Sequence, residues 1–143
     1  MIDGIFRNPT PIYFGHSSTQ MALEEMIPDQ SKVLIVHGKH SAKETGALDH
    51  AIAALDERNI PYLCLGGVRP NPVAEQVYQG ITLCRQHNIS FILAIGGGSV
   101  IDTAKSIAIG TPYQGDFFDF YSLKIVPTQS LPIGTVLTIA GAG

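Results

Sequence analysis

The feature that most constrains this chain is an apolar run that leads directly into three glycines and then into a helical pattern. Residues 91–95 are Phe-Ile-Leu-Ala-Ile, and the glycines occupy positions 96–98. The pattern that follows predicts a helix over residues 99–109, closed by Gly110. Glycines let a ligand approach the backbone, and a helix start presents free N–H groups and the positive end of the dipole. The segment therefore predicts a phosphate-binding turn at the carboxyl end of a buried strand.

The structural alternative is a tight strand-to-helix turn in which Ser99 is the helix N-cap. Three consecutive glycines after a buried strand favour the phosphate site over this alternative. The usual dinucleotide fingerprint G-x-G-x-x-G is not matched, because its third glycine would fall on Ile101. No acidic residue about twenty positions later ends a suitable strand, so a generic Rossmann motif is not expected.

Asp102 and Lys105 follow Ser99 by three and six residues, which places them on one face of the predicted helix. They could form a surface ion pair, which stabilises a protein by only about 0.2–1 kcal/mol. They could equally face a ligand cleft. Helix geometry leaves both alternatives open.

Short apolar runs elsewhere predict further strands. Together with the run before the glycines, the predicted strands are residues 33–36, 61–65 and 91–95. Two glycines at positions 66–67 are expected to end the second of these strands. Residues 10–14, which are flanked by prolines, predict a short extended run at a sheet edge.

Helical patterns alternate with these strands. Apolar spacing predicts helices over residues 17–27 and 48–55, and a third that opens with Asn71 as N-cap and Pro72 at its first position. Residues 113–121 form an aromatic loop that we expect to cover the sheet edge. Alternation with short connections predicts an α/β fold, with a parallel sheet flanked by helices on both faces.

Composition excludes several classes of partner. Charged residues make up 15% of the chain and the formal net charge is −3, whereas nucleic-acid binders carry a basic face. No apolar stretch approaches the ~18–20 residues of a membrane span, and no secretory signal is visible. Cys64 and Cys84 lie in separate apolar patterns without a CxxC neighbour, so we expect two buried thiols in a reducing cytoplasm.

The segment GGGSVIDTAK at residues 96–105 resembles the G-G-G-S-x-x-D-x-x-K motif of the iron-containing alcohol dehydrogenase family. Residues 10–15, 69–72 and 138–143 resemble the family's first strand, its x-P-N-P turn and the start of its T-x-x-x-x-G segment. The resemblance covers essentially the whole chain and is nearest to the butanol dehydrogenase and NADPH-dependent aldehyde reductase subgroup. It implies that residues 1–143 form a Rossmann-like NAD(P)-binding domain, like the N-terminal domain of dehydroquinate synthase.

The resemblance also implies roles for individual residues. Three residues of the glycine turn would hold the cofactor pyrophosphate: Gly97, Gly98 and Ser99. Asp102 would lie near the nicotinamide amide, Asn71 would line the adenosine side of the cleft, and Thr138 would contact the cofactor. Ile139 and Ala142 stand where the family often has threonine, which puts any role of those hydroxyls in doubt.

The loop after the first buried strand predicts the choice of cofactor. In NAD-preferring members of the family an aspartate follows this strand and binds the ribose 2′-hydroxyl, and here Gly38 takes that position. Lys39 supplies a cation, Ser41 supplies a hydroxyl, and no carboxylate occurs until Glu44. We therefore expect NADP, with the use of both NADP and NAD as the alternative.

The family binds divalent iron, or sometimes zinc, through one aspartate and three histidines in a later helical half. This chain ends before such a half, in the glycine-rich residues 131–143, so we expect the metal-binding domain and the catalytic residues to lie outside it. The chain alone is then expected to be inactive. Its five histidines share no close metal-binding spacing, and none is expected to be a ligand: His16, His37, His40, His50 and His87.

The activity implied by the resemblance is hydride transfer between NAD(P)H and a small alcohol or aldehyde, in a homodimeric cytoplasmic enzyme. A polyol oxidoreductase similar to glycerol dehydrogenase is one alternative. A stand-alone nucleotide-binding module is another, because the chain contains no metal-ligand pattern of its own. A further helical half with clustered histidines would distinguish the enzyme from the module.

Overall fold

The computed structural model describes residues 8–39, 41–69 and 73–138. Four parallel strands form one sheet in the order β2-β1-β3-β4. The strands are β1 Val33–Gly38, β2 Tyr62–Val68, β3 Phe91–Gly96 and β4 Ile133–Leu137. The helices are α1 Ser18–Met26, α2 Ser41–Glu44, α3 Ala47–Glu57, α4 Ala74–His87, α5 Gly98–Gly110 and α6 Phe118–Tyr121. None of the helices in the described part of the chain has both the length and the apolar composition that a membrane span requires.

Strands β1 and β3 form the centre of the sheet, and every residue in both is buried. Successive side chains of a strand point to opposite faces. Leu34 and Val36 accordingly pack in the apolar layer beneath α4 and α5, whereas Val33 and Ile35 pack in the layer beneath α1 and α3. The predicted α/β fold is confirmed, and burial on both faces explains the continuous apolar runs.

The chain leaves β1 and β3 on opposite faces of the sheet. After β1 it continues into α2 and α3, which pack on one face, and after β3 it continues into α5, which packs on the other. Because β1 and β3 are neighbours, the two connections diverge and a crevice opens between the carboxyl ends of these strands. Ligands of open α/β sheets usually bind at such a point.

Strand β2 does not end before its two glycines, as the sequence had predicted, but runs through them to Val68. Val36 pairs with Leu65 and Gly38 pairs with Val68, so two steps along β1 correspond to three along β2. The additional residue forms a β-bulge at the two glycines. Gly67 has a φ of +77°, in the left-handed region that favours glycine. The glycines therefore bend the strand without terminating it.

Helix α4 begins later than predicted. Val73, in an extended conformation, is its N-cap, so the prediction of Asn71 as N-cap is wrong; Asn71 itself lies outside the described residues. The side chain of Gln76 donates a 3.1 Å hydrogen bond to the carbonyl of Gly67 and accepts one of 3.3 Å from the amide of Arg69. These hydrogen bonds connect the first turn of α4 to the end of β2. Local residue preferences do not indicate such a contact, so they did not predict where the helix begins.

Helix α5 also differs at both ends from its prediction. It includes Gly98 and has Gly97 at the N-cap position, with no side-chain capping bond, so Ser99 is not the N-cap. Gly110 is the last helical residue and Thr111 is the C-cap, so α5 ends one residue later than predicted. A Cβ at Gly110 would lie 2.4 Å from Cδ1 of Ile81, so glycine is required there by close packing of α5 against α4.

The edges of the fold depart most from the sequence prediction. Residues 10–14 form no strand, whereas the unpredicted β4 occupies one edge of the sheet. Cys64 lies on the other edge strand and is exposed, so the expectation that both thiols are buried is wrong for it. Cys84 is buried on the inner face of α4, and burial raises the pKa of its thiol to about 11. Edge strands lose the burial on both faces that makes central strands recognisable.

Candidate nucleotide-binding site

Three parallel strands bring their carboxyl ends to one edge of the sheet. His37 pairs with Ile95, which places Gly38 beside Gly96, and Gly96 pairs with Leu137 of β4. The amide of Thr138 donates to the carbonyl of Gly96 at 3.2 Å. The loop after β1, the glycine turn and Thr138 were predicted from separate stretches of sequence, and the sheet register brings them to one edge.

The three glycines of the turn have different surroundings. A Cβ at Gly96 would lie 2.6 Å from Cγ2 of Val100, so glycine there is needed for packing of the turn against α5. A Cβ at Gly97 or Gly98 would meet nothing within 4 Å. Gly97 has an ordinary φ of −95° and Gly98 lies in α5, so neither position needs backbone angles that only glycine adopts. What they provide is open space above the backbone.

The first turn of α5 faces this open space. The amides of Val100 and Ile101 both donate to the carbonyl of Gly97, at 3.1 and 3.2 Å. The amides of Gly98 and Ser99 precede them and have no partner within the helix. Ser99 is half-buried, and its carbonyl accepts a 2.8 Å bond from the hydroxyl of Thr103. Free amides and the positive end of the helix dipole suit an anionic group.

Thr138 carries an unsatisfied polar atom at the same edge. Its hydroxyl oxygen Oγ1 is buried, and it has no hydrogen-bond partner among the described residues. Leaving a buried hydroxyl unpaired costs about 1–3 kcal/mol. A ligand that hydrogen-bonds to this atom would recover that free energy, and the Thr138 amide is already held beside the glycine turn.

Asp102 and Lys105 face a cavity of about 540 Å³ between α4, α5 and α6. Both side chains are exposed, and no ion pair joins them in the described part of the chain, so the surface-pair alternative is not realised. The hydroxyls of Ser106 and Tyr121 lie 2.5 Å apart and connect α5 to α6 across the cavity. Phe118 adds an aromatic wall.

The aromatic segment packs on helices and does not cover the sheet edge, contrary to the sequence interpretation. Phe117 is buried against α5, and its ring centroid lies 4.8 Å from that of Tyr78 on α4. The hydroxyl of Tyr78 donates a 2.7 Å bond to Asp116, whose carboxylate also accepts a 3.0 Å bond from the Phe118 amide. These hydrogen bonds lower the pKa of Asp116, with the tyrosine hydroxyl as the larger cause.

The loop after β1 holds the remaining predicted residues. Gly38 is the last residue of β1, Lys39 is exposed, and Ser41 begins α2, although its side chain lies outside the described part. Sequence reasoning gave no role to His37, which is buried at this edge with Nδ1 2.8 Å from the carbonyl oxygen of Gly38. A polar residue at the end of an otherwise apolar strand was the one signal that could have identified it.

Residues 9–143 match the family model of iron-containing alcohol dehydrogenases. The chain belongs to the iron-containing alcohol dehydrogenase family. It is 43% identical over 136 residues to a probable NADH-dependent butanol dehydrogenase 1 of Bacillus subtilis, which covers 95% of this chain and 35% of that protein. It is 36% identical over 138 residues to the NADPH-dependent aldehyde reductase YqhD of Escherichia coli, covering 94% of this chain and 35% of that protein.

Solved structures of the iron-containing alcohol dehydrogenase family agree with the fold. The NADH-dependent butanol dehydrogenase A of Thermotoga maritima superposes with a TM-score of 0.87 at 33% identity, over 96% of this chain and 35% of that one. An iron-containing alcohol dehydrogenase of the same organism gives a TM-score of 0.82 at 30% identity, over 96% and 38%. The chain thus spans about a third of the length of the relatives it matches.

The family name implies a metal ion, and the names of the relatives imply a nicotinamide dinucleotide. Only the dinucleotide fits the described residues of this chain. Among the described residues, no group of three or more His, Cys, Asp and Glu side chains could hold a metal ion. These residues therefore do not fit a metal site. A dinucleotide does fit the carboxyl edge, because Gly97 and Gly98 leave open space there and the Thr138 hydroxyl lacks a partner in the described part.

Proposed function

We propose that this chain is the NAD(P)-binding domain of an alcohol dehydrogenase or aldehyde reductase. The observation that carries the proposal is the open space over Gly97 and Gly98, at the start of α5 and at the junction of three strand ends. Membership of the iron-containing alcohol dehydrogenase family supports a nicotinamide dinucleotide as the ligand. Relatives named butanol dehydrogenase and aldehyde reductase support a small alcohol or aldehyde as the substrate.

In this proposal each site residue has a distinct task. Two backbone amides, those of Gly98 and Ser99, donate to the pyrophosphate, and the dipole of α5 offsets its charge. The hydroxyl of Thr138, which has no partner among the described residues, donates to the cofactor. Asp102 accepts from the nicotinamide amide, and Asn71 lines the adenosine side.

The nicotinamide supplies the hydride chemistry when it is bound, and the residues of this chain bind and orient it. Backbone amides are suited to this task because their positions are set by β3 and α5, so little reorganisation accompanies binding. A fixed cofactor also places its reactive ring reproducibly against the substrate.

We propose further that the loop after β1 selects NADP. Gly38 has no side chain at the position where a carboxylate would repel a 2′-phosphate, and exposed Lys39 offers a cation to it. Ser41, at the start of α2, adds a hydroxyl. The names of the relatives include both NADH-dependent and NADPH-dependent enzymes, so a local determinant has to distinguish the two cofactors.

The metal and the substrate wall belong, in this proposal, to a second helical domain. We assign an iron or zinc ion to that second domain; the present chain spans 35% of the length of a relative, and its described residues do not fit a metal site. The cytoplasmic location and the homodimer remain predictions, and light scattering on the full-length protein tests the second of them.

The test is a titration of the full-length protein with NADPH and with NADH, monitored by nicotinamide fluorescence, followed by assays of butanal reduction. We expect micromolar binding of at least one dinucleotide and aldehyde-dependent oxidation of it. Absence of binding by both dinucleotides would overturn the proposal. Binding without turnover of any alcohol or aldehyde would favour a nucleotide-binding module.

A further inference from the structure

His37 occupies a position that the proposed cofactor roles leave unexplained. It is the last residue of β1 before Gly38, at the carboxyl edge and next to the loop that we assign to the adenosine ribose. Four of the five residues before it in the sequence are apolar, and the polar side chain of His37 is nevertheless only 8% exposed. A buried imidazole usually has a hydrogen-bonding task that decides its orientation.

The hydrogen bond of His37 determines its tautomer. Nδ1 lies 2.8 Å from the carbonyl oxygen of Gly38, and a carbonyl oxygen can only accept. Nδ1 therefore carries the hydrogen and donates it. In a trans peptide the C=O and N–H groups point in opposite directions, so holding the Gly38 carbonyl toward the ring turns the Lys39 amide away from it. One hydrogen bond thus sets the direction of the first peptide of the loop.

Packing against the bulge in β2 holds the ring itself in place. A Cβ at Gly66 would lie 2.6 Å from Cε1 and 2.8 Å from Nε2 of His37, so the imidazole lies directly against the backbone of Gly66. The register shift between β1 and β2 falls at these residues, where Gly38 pairs with Val68. Bulges often redirect a side chain beside a functional site. Here the bulge makes space for a ring that a regular strand bearing a side chain would not accommodate.

We propose that His37 is a positioning residue that orients the loop after β1 for the adenosine end of the dinucleotide. It acts through the Gly38 carbonyl and not by touching the cofactor. The inference rests on the proposed function, because the loop binds a ribose only if the chain binds a dinucleotide. The bulge at Gly66 contributes to this role, because it makes space for the imidazole and holds it in place.

Two substitutions separate the hydrogen bond from the packing. His37→Phe keeps a ring against Gly66 but removes the donor, whereas His37→Asn keeps an amide donor near the position of Nδ1. In the full-length protein the probes are ADP-ribose for the adenosine end and nicotinamide mononucleotide for the other end, measured by calorimetry. We expect His37→Phe to weaken the binding of ADP-ribose about tenfold and to leave the affinity for nicotinamide mononucleotide unchanged. His37→Asn should recover most of the lost affinity for ADP-ribose.

A second pair of variants tests the packing of the His37 imidazole against Gly66. The three atoms nearest to a Cβ at Gly66 all belong to His37, and the φ of Gly66 lies outside the left-handed region, so alanine is not strained by the backbone there. Gly66→Ala should therefore displace the imidazole and weaken the binding of ADP-ribose in the same way. In the double variant His37→Ala with Gly66→Ala, the alanine at 66 should add no further loss. This pair also decides the matter if His37→Phe does not fold.

The outcomes distinguish this inference from the function on which it rests. A wild-type protein that binds neither dinucleotide overturns the proposed function. A wild type that binds, with ADP-ribose affinity unchanged in His37→Phe and in Gly66→Ala, overturns only the role of His37. Equal weakening of ADP-ribose and the mononucleotide, accompanied by a lower Tm, would show that His37 is merely structural.

Discussion

The amide of Thr138 donates to the carbonyl of Gly96 at 3.2 Å, which joins the end of β4 to the start of the glycine turn. The contact continues the parallel pairing of β3 and β4 by one residue beyond the pair formed by Gly96 and Leu137. It brings the Thr138 side chain to the turn, where its buried hydroxyl has no partner in the described part of the chain.

Replacement of this threonine should have opposite effects on stability and binding. Thr138→Val removes a buried hydroxyl without a described partner and keeps the side-chain shape, so the free protein should be as stable as the wild type or up to about 1 kcal/mol more stable. Cofactor binding should weaken about fivefold to tenfold, because the hydrogen bond is lost. Thermal unfolding and fluorescence titration measure the two effects. A less stable free protein with unchanged affinity would contradict the ligand role.

Substitution of the two open glycines should affect binding and not folding. Gly97→Val or Gly98→Val should weaken dinucleotide binding by at least about a hundredfold, because the side chain would fill the space over the turn. Their backbone angles are ordinary, so the Tm should fall by less than about 4 °C. Gly96→Ala is the matched contrast and should lower the Tm by more, since its Cβ would lie 2.6 Å from Cγ2 of Val100. Unchanged affinity in both valine variants would mean that the turn is only structural.

The choice of cofactor should depend on Gly38. The wild-type full-length protein should show a higher kcat/KM with NADPH than with NADH. Gly38→Asp should shift the ratio toward NADH by about tenfold or more, because a carboxylate repels the 2′-phosphate and accepts from a 2′-hydroxyl. Lys39→Gln should reduce NADPH efficiency alone. A wild type that prefers NADH, or a ratio unmoved by the aspartate, would show that this loop does not read the 2′ position.

The carboxyl group of Asp116 offers a test by pH. Hydrogen bonds from the Tyr78 hydroxyl and the Phe118 amide lower its pKa below the ordinary 3.8. The stabilisation it contributes is therefore present above that ordinary value and is lost as the pH falls through the lowered pKa of the folded protein. Tyr78→Phe should raise the pKa of Asp116, measured by carbon-detected NMR of the carboxyl group, with Thr82→Val on the same helix as a control. An unchanged pKa would contradict the hydrogen bond.

The 143-residue chain alone should have no dehydrogenase activity, even after addition of iron or zinc. The described residues contain no group of side chains that could hold a metal ion, and the chain spans about a third of its relatives' length. The assay is butanal reduction with NADPH, and the full-length protein is the positive control. Turnover by the chain at a rate near that of the full-length protein would contradict the prediction.

The sequence by itself determined the layout of the fold and the position of the glycine turn. Both depend on local information. Strands β1 and β3 are continuous apolar runs because both their faces are buried. Glycines followed by a helical pattern can be recognised in the sequence without knowledge of any distant contact. The resemblance to the family then predicted cofactor contacts for Gly97, Gly98 and Thr138, and these three residues lie at one edge of the sheet.

Only the tertiary structure decided what depends on neighbours distant in sequence. Whether Gly66 ends a strand or makes space for a ring depends on His37, 29 positions before it. Position 110 at the end of α5 requires a glycine because a Cβ there would clash with Ile81 of α4. β4 escaped detection because an edge strand lacks burial on both faces. Strand register finally placed Gly38, Gly96 and Thr138 together, and register is a property of the assembled sheet that no single segment encodes.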